Sequence, residues 1–131
     1  MDMKAINPWR WQDRYGFSQA MEIEGANRIL LCAGQTSVDA DGNPLHKGDM
    51  AKQVGQALDN LEVLLKYSDM RLSDAVHFKY YTTDVPGFIA ANHILDARMR
   101  EAKCARSSTL IGVTSLFHPD ILVEIEALAA V

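Results

Sequence analysis

The chain has 131 residues and a mass of 14.6 kDa, with 48% hydrophobic and 23% charged residues. That is one domain able to bury most of its extended surface without staples, which excludes disordered and fibrous classes. The net charge of -4 argues against an electrostatic grip on nucleic acid or anionic membrane, and Cys32 and Cys104 stand in no CxxC or zinc-ligand spacing.

Met1 to Trp11 has no continuous apolar core of the kind a signal peptide needs, and Ile29 to Ala33 is far too short to span a bilayer. A soluble, cytoplasmic protein is expected. Phe17 to Glu24 alternates apolar and polar residues, breaks at Gly25-Ala26-Asn27 and resumes at Arg28 to Ala33, which predicts a hairpin. In its second strand Ile29, Leu31 and Ala33 oppose Leu30 and Cys32, so both faces read as buried. Thr36 to Gly48 contains Asp41-Gly42-Asn43-Pro44 and reads as a surface loop.

Asp49 is an N-cap for a helix whose apolar face is Met50, Val54, Ala57, Leu58, Leu61, Leu64 and Leu65. Ala75 to Thr82 reads as a strand. Asp84-Val85-Pro86 opens a second helix with Phe88, Ala91, Leu95, Met99 and Ala102 as its buried stripe. Thr109 to Thr114 and Ile121 to Ala127 are strands around a His118-Pro119-Asp120 turn. The order β-β-α-β-α-β-β predicts an α+β domain over residues 1–131 with two helices on one sheet face. Something must then cover the other face, and a second copy of the chain is the simplest candidate.

The four histidines (His46, His77, His93, His118) lack i, i+4 ligand spacing, and no motif implies a metal or cofactor. Glu124 and Glu126 share a strand face, a pattern that suits a wet face as well as an acid/base pair. Arg106, just before a strand, reads on position alone as a solvated loop arginine; the alternative is a fork for a substrate carboxylate. Residue chemistry alone reaches a small-ligand protein at an oligomer interface.

Phe17-Ser18-Gln19-Ala20, Ala33-Gly34-Gln35-Thr36, Gly48-Asp49-Met50, Ala57-Leu58-Asp59-Asn60-Leu61, Tyr81-Thr82-Thr83-Asp84, Phe88 with Asn92, and Val123-Glu124-Ile125-Glu126-Ala127 occur in this order. Together they resemble the RidA (YjgF-type) family of reactive imine/enamine deaminases from about Phe17 to the C-terminus. The resemblance implies a chorismate-mutase-like fold, a homotrimer and ligand clefts at subunit interfaces. It also implies Glu124 as the residue that helps place the attacking water, and an arginine that anchors the substrate carboxylate, for which Arg106 is the candidate here. Phe17, Ala33, Gly34, Gln35, Asn92, Ser108 and Thr109 would contact the ligand.

Three hydroxyls of the family pattern are missing: Phe17 stands for Tyr, Ala33 for Ser and Leu95 for Tyr. Counting back from Gly112-Val113 without a gap puts the family arginine at Ser108, two residues past Arg106. Either Arg106 reaches into the cleft beside Glu124, or Ser108 fills that place and Arg106 lies on the surface; the ungapped count favours the second. The expected function is hydrolytic deamination of small 2-imino or enamine metabolites without metal or organic cofactor. The alternative is a non-catalytic trimer that binds a metabolite or partner in an apolar cleft of Phe17, Ala33 and Leu95. RNA cleavage is the weakest reading, because the chain shows no basic or aromatic RNA-binding patch.

Overall fold

A computed structural model describes all residues 1–131. The strands are β1 (Asp2–Ile6), β2 (Ala20–Glu24), β3 (Ile29–Thr36), β4 (Ala75–Thr82), β5 (Ser107–Gly112) and β6 (Val123–Ala130). The α-helices are α1 (Met50–Tyr67), α2 (Val85–Ala90) and α3 (Asn92–Glu101). A four-stranded mixed sheet has the order β3-β6-β4-β5, with β4 and β5 parallel and the other pairs antiparallel. No helix is long and apolar enough to cross a membrane.

Helix α1 forms as its sequence demands. The Asp49 carboxylate accepts from Lys52 N at 3.0 Å, capping the first turn. The stripe Val54, Ala57, Leu58, Leu61 and Leu65 is then buried against the sheet side chains Phe78, Val123, Ile125 and Ala127. Each large apolar side chain fully removed from water there contributes about 1.5–3 kcal/mol. Gln53 on the same helix is fully buried and satisfied: its Nε2 donates to Asp120 O at 2.8 Å and its Oε1 accepts from Leu122 N at 2.8 Å. It fastens the connection between β5 and β6.

The predicted hairpin of Phe17–Glu24 with Arg28–Ala33 does not form. β2 pairs instead with β1, a strand that sequence reading left unassigned, in a separate two-stranded ribbon. β3 is claimed by the C-terminal strand: Asn27 N and Arg28 N donate to Val131 O at 2.8 and 3.0 Å, and β3 continues antiparallel along β6. β3 is also buried on one face only, since Ile29 is 64% and Leu31 74% exposed.

The second predicted helix is broken at Ala91 into α2 and α3. His93 supplies a reason: its Nδ1 lies 3.0 Å from Ala90 O, the carbonyl that Ile94 N would use in a continuous helix, and Ile94 N donates to Ala91 O instead. β5 begins at Ser107, two residues before the predicted start, because His77 to Thr82 pair in register with Ser107 to Gly112. That earlier start places Arg106 against the domain.

Candidate functional site

A cleft of about 200 Å³ opens between α2, β5 and the segment that precedes β2. Three aromatic residues of that segment, Trp11, Tyr15 and Phe17, form one wall, and Trp11 and Phe17 meet edge to face at 6.0 Å. Phe88 and Ile89 of α2 and Leu110 of β5 form the facing side. Arg106, Ser108, Asn92 and the Tyr80 hydroxyl bring polarity to this apolar lining.

Arg106 is 3% exposed, which overturns the expectation that it lies on the surface. The two places set against each other by the ungapped count from Gly112 are not exclusive, since Arg106 and Ser108 stand two apart and both line the cleft. Arg106 Nη1 donates to Gly16 O at 2.8 Å and to Cys104 O at 3.4 Å. Its Nη2 lies 3.7 Å from Asp96 Oδ1, while Asp96 Oδ2 pairs with Arg100 Nε at 3.0 Å. Arg106 Nε and the Tyr80 hydroxyl are both buried, with no partner other than each other's side chain. Burial pushes the Tyr80 phenol up to about 12, an effect the nearby Arg106 charge opposes, so Tyr80 remains a neutral donor at physiological pH. Burial likewise raises the Cys104 thiol to about 11.

The aromatic segment is strapped down through Arg106. Ser18 N donates to the Arg106 carbonyl at 2.7 Å, and Gly16 has a left-handed φ of 81°. A Cβ at Gly16 would stand 1.8 Å from Asp96 Oδ1. Gly16→Ala should therefore destabilise the protein by about 1–3 kcal/mol in urea denaturation, through backbone strain and displacement of the Asp96 side chain. An unchanged midpoint would show that the strap is not held in this way.

The other expected site residues lie elsewhere in the chain. Glu124 and Glu126 do share a face, but it is the sheet face opposite the helices. Tyr81 there donates to Glu126 Oε1 at 2.7 Å, and Lys79 Nζ lies 3.6 Å from the same oxygen. Thr109 pairs with Lys79 and stands exposed on that face. Ala33, Gly34 and Gln35 lie in the bulged part of β3, where Gly34 leaves room for Glu124: a Cβ would approach Glu124 Oε1 to 2.3 Å. One chain thus brings Phe17, Asn92, Leu95, Arg106 and Ser108 together and keeps Glu124, Ala33, Gly34, Gln35 and Thr109 apart from them. Of the apolar cleft expected from Phe17, Ala33 and Leu95, one chain brings Phe17 and Leu95 together, and Ala33 is not among the lining residues.

Sequence reading missed Trp11, Tyr15, Tyr80 and Asp96. Two tryptophans two residues apart, Trp9 and Trp11, were the available signal for the strap. Asp96, on the same stripe of α3 as Leu95 and Met99, was the available signal for a buried cation nearby.

The comparisons with known proteins agree with this fold. Residues 10–131 match the family described as Endoribonuclease L-PSP. A RutC family protein of Pyrococcus horikoshii is 31% identical over 113 residues, covering 86% of this chain and 85% of its own. A 3-aminoacrylate deaminase RutC of Acinetobacter baylyi is 26% identical over 106 residues, covering 81% of this chain and 82% of its own. The crystal structure of a Rid-family protein of unknown function from Yersinia pestis superposes with a TM-score of 0.88 at 31% identity, covering 100% of both chains. With the family pattern matched from residue 10 to the C-terminus and the whole fold shared with a Rid protein, the chain belongs to the Endoribonuclease L-PSP family, also called the YjgF, RidA or RutC family.

Proposed function

We propose that the protein is a hydrolytic deaminase of 2-imino acids and their enamine tautomers. The observation that carries this reading is Arg106: it is a buried cation lining a cleft, held through Nη1 by two backbone carbonyls. The Nε and Nη2 edge of such a guanidinium matches a planar carboxylate bidentately. Asp96 is too far from Nη2 for a hydrogen bond and also serves Arg100, so the trio of charges remains cationic overall.

In the reaction, water oxygen adds to C2 of the imine and the C=N π electrons move to nitrogen. Nitrogen takes the proton that the added water sheds, giving a carbinolamine, and then a second proton as the C–N bond breaks; ammonia leaves while the C2 hydroxyl gives up its proton to form the 2-oxo acid. Arg106 holds the carboxylate and so orients C2. Glu124, placed on the opposite sheet face, serves this step from a neighbouring copy of the chain in a homotrimer, where it orients the water. The exposed Ile29 and Leu31 on that face support such an assembly. The similarity to a 3-aminoacrylate deaminase supports the reaction class.

The test generates 2-iminopropanoate in situ and follows ammonia release with and without the purified protein. Acceleration over the buffer rate is expected; a rate equal to buffer, where a working deaminase accelerates, contradicts the reading. A second reading, a non-catalytic binder, is favoured by one observation: Phe17 and Leu95 line the cleft without a hydroxyl. It would show as ligand binding without turnover. The endoribonuclease label of the family is not carried over, because a chain of net charge -4 with an apolar cleft offers little grip on phosphates.

A further inference from the structure

We propose that this cleft selects 2-imino acids whose side chain carries a ring-sized apolar group, and that Trp11 and Ile89 are specificity-determining residues. The proposal rests on the deaminase reading for the chemistry and on the cleft for the selectivity. Its volume of about 200 Å³ exceeds the roughly 150 Å³ of an apolar cavity known to hold benzene. The lining is uneven in a way that orients a ligand. Arg106, Ser108 and Asn92 can take the carboxylate end, while Trp11, Phe17, Phe88, Ile89 and Leu110 surround the remaining space with hydrocarbon and aromatic faces.

Trp11 is 61% and Ile89 50% exposed although both line the cleft. Apolar surface of this size left at the mouth of a pocket gains from a ligand that covers it. The imine of a three-carbon acid would satisfy Arg106 and leave these walls wet. A phenyl or branched side chain would remove them from water, a difference of roughly tenfold to a hundredfold in binding.

Two readouts on the intact protein test this. Isothermal calorimetry compares 3-phenylpropanoate with propanoate, and the ammonia assay compares imines generated in situ by an amino-acid oxidase from phenylalanine and from alanine. At least tenfold tighter binding of 3-phenylpropanoate and at least tenfold higher kcat/KM for the phenylalanine imine are expected. Trp11→Ala and Ile89→Ala should each shrink both preferences severalfold, whereas Trp11→Phe should retain them. Equal handling of the two imines, with turnover of both, overturns the selectivity and leaves the deaminase reading standing. Tight ring-selective binding with no turnover of any imine supports the selectivity and removes the deaminase reading. Binding of neither acid, or of both equally, overturns the proposal.

Discussion

Arg106→Ala should lower kcat/KM for imine hydrolysis by one to two orders of magnitude, the loss of a charge-assisted contact of roughly 1.5–3 kcal/mol. The same substitution should destabilise the fold by about 3 kcal/mol. It removes the donor to Gly16 O and Cys104 O, and it leaves Asp96 with Arg100 as its only cationic partner. Arg106→Lys separates the two roles. It keeps a cation near Asp96 but cannot present the planar fork, so turnover should fall about tenfold while most of the stability returns. Rates measured alongside urea midpoints decide the matter. An Arg106→Lys protein of full activity would show that no bidentate anchor operates.

Leu31→Asp should have the largest effect on assembly. Leu31 is 74% and Ile29 64% exposed on the sheet face that no helix covers. In the proposed homotrimer a carboxylate there would be buried without a partner once per subunit, at a cost of several kcal/mol each. Light scattering should show the mass falling from three chains to one, with the circular dichroism of the domain retained because the Leu31 side chain is largely exposed within its own chain. Turnover should vanish with the proposed trimer, since Glu124 and Arg106 are on opposite faces within one chain and in that assembly would meet only between copies. A Leu31→Asp protein that remains trimeric, or a monomer of full activity, would contradict the shared site.

The elements with a strong period were legible from sequence. Asp49 and the stripe from Val54 to Leu65 specify α1 by capping chemistry and spacing alone, and the alternation of Val76, Phe78 and Tyr80 specifies β4. The failures have long-range causes. The hairpin reading of Phe17 to Ala33 treated neighbours in sequence as partners, whereas β3 is paired by Val131 at the far end of the chain. The break at Ala91 depends on one imidazole taking a backbone carbonyl, which no periodicity reveals. Arg106 was misread for the same kind of reason. Its burial is produced by Gly16, ninety residues away along the chain, and by Asp96 on α3. The family resemblance correctly signalled an α+β fold shared with Rid-family structures. The sequence order could not show that Phe17, Asn92 and Ser108 sit on one side of the sheet and Glu124 on the other, because strand pairing decides that.

The central claim is that Arg106 anchors a carboxylate, and a crystal structure of the protein soaked with pyruvate, the 2-oxo acid product of the simplest imine, tests it most directly. Both carboxylate oxygens should lie about 3 Å from Arg106 Nε and Nη2, with Nη1 still on Gly16 O and the Glu124 carboxyl of a neighbouring subunit facing C2. Pyruvate bound elsewhere, or a cleft left empty at saturating pyruvate with Arg106 engaged only by Gly16, Cys104 and Asp96, would contradict it.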